Sequence, residues 1–167
     1  MSLTTWRKEF YPTFAQDATS ENAIEHSIRK WVGLRSENLQ KHNVTTNGSS
    51  LHDGANSLWI DASTCALCVV YYDHSERTVS ACSRCPLFRV RGNVACDKAR
   101  PEEKPNREPY FLFTALRDPE PMIDWLKAAA ELETKTTVDP DWDARPDHEA
   151  RIPTEDQDEA RRYERRG

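Results

Sequence analysis

Apolar side chains recur at close to helical spacing between residues 21 and 41, with charged residues such as Lys30 between them. The pattern predicts one amphipathic helix with Ser20 as its N-cap and Lys30 on the polar face. Gly33 lies in its middle, where glycine weakens a helix by about 1 kcal/mol relative to alanine. The apolar positions that predict the buried face are Ile24, Ile28, Trp31, Val32, Leu34 and Leu39.

Two more helices are predicted in the second half of the chain. Residues 110–116 form a short apolar run, and residues 121–132 begin with a proline, which suits the first turn of a helix. The apolar side of the second of these helices consists of Met122, Ile123, Trp125, Leu126 and Ala129.

The remaining segments are less regular. Residues 42–57 are polar and contain Gly48 and Gly54, which predicts an exposed loop. Residues 69–72 are compatible with a strand or a short helix, because so short an apolar run shows no decisive period. Residues 87–94 predict a basic loop or a short strand.

Together these elements predict an α+β fold that is mostly α, with few short strands. We divide the chain into an aromatic N-terminal arm packed on the domain (1–19), a helical domain (20–133) and a charged tail (134–167). The tail has too few apolar residues to offset the entropy of ordering, so we expect it to be disordered, or to be helical only near residues 155–166.

Composition predicts a modest core, since 37% of the residues are hydrophobic and 31% are charged. Small cores are often supplemented by a bound metal. There is no apolar run of eighteen residues and no apolar stretch at the N-terminus typical of a secretory signal. We therefore expect a cytoplasmic protein that does not contact membranes. The net charge of −5 argues against extensive coating of nucleic acid.

The strongest candidate chemistry is a metal site at two Cys-x-x-Cys turns, Cys65-Ala-Leu-Cys68 and Cys82-Ser-Arg-Cys85. Four thiolates complete the tetrahedral shell of a structural Zn²⁺ and leave no position for a reacting water, which argues against metal-assisted hydrolysis. Two thiol pairs without a metal, or a redox or iron–sulfur role, are the alternatives. Cys96 is left over. It could replace one of the four ligands, be buried as a small apolar residue, or remain a free thiol.

A run of basic residues after the second turn supports an alternative function in nucleic-acid binding. Such a patch is equally compatible with a solvated loop balanced by the acidic tail, and only one aromatic residue, Phe88, lies within it. The basic residues are Arg84, Arg89, Arg91, Lys98 and Arg100.

Catalysis has little support in the sequence, so we expect a protein that is not an enzyme. No metalloprotease, nucleophile-elbow or phosphate-loop motif is present. His52 and Asp53 form the only pair worth testing, and we expect the remaining histidines to lie on the surface. An enzyme with a polar active site that no motif marks remains an alternative. The remaining histidines are His26, His42, His74 and His148.

Residues 59–113 resemble small Cys-rich proteins encoded in bacteriophage and prophage genomes, a group without an assigned activity. The similarity rests on both Cys turns, with Pro86 and Leu87 after the second, and on Gly92, Cys96 and Pro109-Tyr110. A Trp-bearing helix upstream resembles residues 23–39. The resemblance implies a phage origin, action in the bacterial cytosol and a zinc knuckle that includes Cys96.

The sequence thus predicts a non-enzymatic, zinc-stabilised binding protein, a phage accessory factor with a protein partner in the host. A nucleic-acid partner is the less favoured alternative. No pattern in the chain identifies the partner or the oligomeric state.

Overall fold

The computed structural model describes residues 2–76, 79–104 and 106–136. Within these residues it has seven α-helices and one three-stranded antiparallel sheet of order β1-β2-β3, so the α+β, mostly α prediction is confirmed. The helices are α1 (Leu3–Phe10), α2 (Ala23–Gly33), α3 (Ser36–Lys41), α4 (Ala66–Tyr71), α5 (Pro86–Val90), α6 (Pro109–Leu116) and α7 (Glu120–Thr136). The strands are β1 (Thr45–Thr46), β2 (Ser50–His52) and β3 (Ser57–Trp59).

The N-terminal segment forms α1, which is part of the core. Leu3, Trp6 and Phe10 recur at helical spacing and are buried. The indole Nε1 of Trp6 donates a hydrogen bond to the carbonyl oxygen of Gly33 at 2.7 Å. The Asp53 carboxylate accepts the backbone N–H of Leu3 at 2.8 Å, which satisfies a free donor at the start of the helix.

The single helix predicted over residues 21–41 is wrong, because two helices occupy this segment and Asn22, not Ser20, precedes the first. The backbone N–H groups of Leu34 and Arg35 bond to carbonyls only three residues earlier, which tightens the last turn of α2 and ends it. The predicted polar face is also wrong at Lys30, which is only 2% exposed. The buried face of α2 includes Ala23, Ser27, Lys30 and Trp31, whereas Ile24, Ile28 and Val32 are half-buried.

Replacing Gly33 with alanine is expected to destabilise the protein, although alanine is the better helix former. A Cβ at this position would lie 2.5 Å from Phe10 Cβ and 2.8 Å from Trp6 Cζ2. Overpacking of this kind typically costs about 1–3 kcal/mol, more than the helix-propensity gain. Urea unfolding of Gly33→Ala measures the change, and a raised midpoint would contradict the close approach of α1 to α2.

The predicted exposed loop at residues 42–57 is wrong, since this segment forms the sheet. β2 pairs with both neighbours, with Leu51 opposite Thr46 and Leu58. Gly48 and Gly54 each have φ +91°, the left-handed conformation that the two tight turns require. The strands are only two or three residues long, so they carry almost no alternating pattern.

Residues 69–72, left open between strand and helix, belong mainly to the short helix α4. The basic loop or strand predicted after Cys85 is wrong at its start, because Pro86–Val90 forms α5. Pro86 at its first position has no N–H to leave unpaired there.

Both predicted C-terminal helices are confirmed as α6 and α7. Trp31 of α2 packs edge-on against Phe113 of α6, with ring centroids 5.1 Å apart. Met122, Ile123 and Leu126 of α7 are buried, which joins the C-terminal helices to the core around α2. Since α7 extends to Thr136, residues 134–136 are helical, and the rest of the predicted tail lies outside the described residues.

None of the helices in the described ranges is both long enough and apolar enough to cross a lipid bilayer.

Candidate metal centre

The five cysteines converge on one small cavity of about 30 Å³. Cys65 stands directly before α4 and Cys68 lies within it. Cys82 ends a 3-10 turn, and Cys85 stands directly before α5. Cys96 lies in the turn structure that follows α5, and all five side chains are half-buried. The fold therefore brings together the four predicted ligands and Cys96.

Two of the sulfurs accept equivalent pairs of backbone hydrogen bonds. Cys65 Sγ accepts hydrogen bonds from the backbone amides of Leu67 and Cys68, and Cys85 Sγ accepts them from those of Leu87 and Phe88. In each case the amides are two and three residues further along, at the start of a short helix. Amides at a helix start favour the thiolate form of a cysteine, which is the form that binds metals.

The thiols differ in how readily they ionise. The hydrogen bond that Cys68 donates lowers the pKa of Cys65, and the positive charge of Lys30 acts in the same direction. The pKa of Cys68 is raised for the converse reason. Burial raises the pKa of Cys85 to about 11 and raises the pKa values of Cys82 and Cys96 as well. A metal bound here would have to displace protons from the remaining thiols.

The cysteine side chains are not arranged around a common centre as a bound ion requires. In the parts of the chain that the structure describes, no three His, Cys, Asp or Glu side chains are grouped so that they could hold a metal ion. The sulfurs of a tetrahedral zinc site lie about 3.8 Å apart, given Zn–S bonds of about 2.3 Å. The cysteine side chains would have to reorient around the ion, so zinc binding at Cys65, Cys68, Cys82 and Cys85 stays a prediction.

Lys30 is a feature of this site that the sequence pattern missed. Its buried ammonium donates hydrogen bonds to the carbonyl and hydroxyl oxygens of Thr64, both at 2.8 Å. Burial lowers the pKa of Lys30 to about 8, while the negative charges of Cys65 and Asp61 oppose that shift. Its helical position among charged residues indicated an exposed side chain, and no local signal distinguishes it from an ordinary surface lysine.

The basic residues of the nucleic-acid alternative do not form one open surface. Arg91 is fully buried and donates to the carbonyl oxygens of Ala95 and Lys98, the latter at 3.0 Å. Its guanidinium also lies 3.3 Å from the Glu103 carboxylate. Arg91 therefore holds together the turn that follows α5, and it is not available to a phosphate.

Three of the other basic residues are paired with acids. Arg89 contacts Glu133, Lys98 lies 3.2 Å from Asp97, and Arg100 lies 3.1 Å from Glu103 and 3.0 Å from Glu102. Arg84 is exposed. Because phosphate binding depends on net positive charge, this pairing weakens the electrostatic basis of the nucleic-acid alternative, which stays a prediction.

The histidines do not assemble a catalytic group within the described residues. His52 Nε2 lies 2.7 Å from Ser50 Oγ, but Ser50 is buried in the sheet. Asp53 instead accepts backbone N–H groups of Leu3 and Asn56.

The predicted surface position of His42 is wrong. It is buried between Thr5 Oγ1 and the Glu9 carboxylate, each at 2.9 Å from a ring nitrogen. His74 is exposed, His26 is half-buried, and His148 lies outside the described residues.

No protein-family model matches the chain, and neither the curated proteins nor the solved structures include a significant match to it.

Proposed function

We propose that the protein is a non-enzymatic binding protein whose α-rich domain is stabilised by one Zn²⁺ bound to Cys65, Cys68, Cys82 and Cys85. The observation that carries the proposal is the convergence of both Cys-x-x-Cys turns on one small cavity, from segments thirteen residues apart in the chain. Bound there, the ion would occupy a closed four-thiolate shell and serve stability rather than catalysis.

The surroundings of the cysteines suit such an ion. A four-thiolate zinc site carries two negative charges in excess, and a buried cation beside it offsets part of that charge. Lys30 supplies this cation, since the charges of Cys65 and Cys68 act directly on it. The backbone amides at Cys65 and Cys85 would orient two of the four thiolates.

The binding role rests on exposed apolar side chains. Trp59 is 61% exposed on β3, a strand at the edge of the sheet. Tryptophan is enriched among the residues that contribute most to protein interfaces. Together with the resemblance to bacteriophage proteins, this supports a protein partner in the cytoplasm of a bacterial host.

Metal content tests the first half of the proposal. Protein purified under reducing conditions without added metal is expected to contain close to one zinc per chain and no iron or acid-labile sulfide. A 400 nm absorbance with iron and sulfide would assign an iron–sulfur cluster instead. A metal-free chain that is folded and fully stable would contradict any metal role.

The binding role, the second half of the proposal, is tested by using the protein to capture partners from a bacterial lysate, with and without nuclease treatment. We expect a protein partner that survives nuclease treatment and is lost from Trp59→Ala. Leu116→Ala removes a similarly exposed apolar residue, 66% exposed on α6, and serves as the control. Loss of every partner on nuclease treatment would favour the nucleic-acid alternative.

A further inference from the structure

A second, larger pocket of about 260 Å³ adjoins the cysteines. Its wall includes Trp31 of α2, Leu87 of α5, and Met122 and Leu126 of α7. Cys65, Cys68, Cys82 and Cys96 also border it. The volume equals that of about eight or nine water molecules in the liquid, which is enough for a compact ligand with a single ring.

Ser27 contributes an unsatisfied polar group to this mostly apolar wall. Its side chain is 1% exposed, and its Oγ has no hydrogen-bond partner among the described residues. Buried hydroxyl groups in folded proteins nearly always have a partner, because leaving one unpaired is costly. The missing partner can come from a molecule in the pocket.

Lys30 contributes a second unused donor on the same face of α2, three residues further along. Two of the three ammonium hydrogens are directed to Thr64 oxygens. Within the described residues no oxygen or nitrogen accepts the third, and Nζ lies 5.9 Å from the centroid of the Tyr11 ring, a distance at which a cation–π contact is weak. Ser27 and Lys30 therefore offer hydrogen bonds to an oxygen atom placed between them.

The charges around the pocket select against an anionic ligand. Asp61 and Asp97 both line it, against the single ammonium of Lys30. Thiolates holding a metal would make the surroundings still more negative.

We propose that this pocket binds a small neutral molecule with an apolar body and one hydrogen-bond-accepting oxygen, such as an aromatic amide. The oxygen is held by Ser27 and Lys30, and the ring lies among Trp31, Met122 and Leu126. The groups that would hold this molecule are not among the proposed zinc ligands, so the site can fail while the zinc proposal stands, and the reverse.

Three probes that share one phenyl ring test the proposal on the full-length protein with its native metal content. Benzamide carries a neutral carbonyl, benzoate replaces the amide with a carboxylate, and toluene lacks an acceptor. Binding is followed by amide chemical shifts in ¹⁵N–¹H spectra. We expect millimolar binding of benzamide, weaker binding of toluene and the weakest binding of benzoate, with shifts centred on Ser27, Lys30 and Trp31.

Ser27→Ala separates this role from a structural one. Because the Ser27 hydroxyl bonds to none of the residues that the structure describes, its removal should leave the fold intact. It should weaken benzamide binding by about two- to ten-fold, the value of one hydrogen bond, and leave toluene binding unchanged. Ser36→Ala, an exposed serine of α3, is the matched control. The proposal is overturned if benzoate binds as tightly as benzamide, or if Ser27→Ala binds benzamide as tightly as the unmodified protein. It is also overturned if millimolar benzamide shifts no amide signal in the pocket.

Discussion

Replacing Cys68 with serine is expected to leave the protein without zinc and largely unfolded. Zinc contributes about 10–16 kcal/mol of apparent binding free energy in zinc-finger peptides, whereas whole domains are stable by only about 5–15 kcal/mol. Loss of one thiolate from a four-thiolate site therefore removes an amount comparable to the entire stability. Far-UV circular dichroism and zinc content of Cys68→Ser measure both effects.

Cys96→Ser is the matched control, because Cys96 borders the same cavity and is also half-buried. Under the four-thiolate assignment it retains zinc and most of its stability. The assignment is wrong if Cys96→Ser loses the metal and one of the other cysteines proves dispensable. Cys96 is then a ligand, which is what the resemblance to bacteriophage proteins implies. A fully folded Cys68→Ser would contradict a structural metal altogether.

Replacing Trp6 with alanine is expected to destabilise the domain by about 3–5 kcal/mol, the usual cost of deleting a large buried aromatic side chain. Trp6 is completely buried and contacts the ring of Phe10, with centroids 5.9 Å apart. The substitution also leaves the Gly33 carbonyl without its indole donor. Urea unfolding monitored by circular dichroism gives the change in the free energy of unfolding.

Phe14→Ala provides the comparison within the same N-terminal segment. Phe14 is 55% exposed, and its ring lies beneath the Arg7 guanidinium. Its removal should change stability by no more than about 0.5 kcal/mol. If Trp6→Ala lowers the free energy of unfolding as little as Phe14→Ala does, α1 is an appended arm and not part of the core.

The sequence predicted the two C-terminal helices, because each is an apolar run with a proline at or next to its start. α6 and α7 follow from apolar runs that begin at Pro109 and just after Glu120, and tertiary packing agrees with that local pattern. The sheet was missed, since strands of two or three residues have no period to detect. Its signal lies in the turns, because Asn47-Gly48 and Asp53-Gly54 are dipeptides typical of hairpins.

Buried charges were the second class of error, because their burial depends on distant parts of the chain. Lys30 is covered by the segment around Thr64, and Arg91 by the turn that runs to Glu103. In sequence both resemble surface cations. The same limit applies to the candidate site, where spacing identified two Cys pairs but not that Cys96 and the pocket beside Ser27 adjoin them.

The odd number of thiols around one cavity has a consequence for the protein outside a reducing environment. Five cysteines can form at most two intramolecular disulfides, and one sulfur always remains to attack another bond. Once its metal is removed, an oxidised sample should therefore become a mixture of isomers and cross-linked dimers rather than one defined product. Handling without reductant would then yield heterogeneity that reflects sulfur chemistry and not the native assembly.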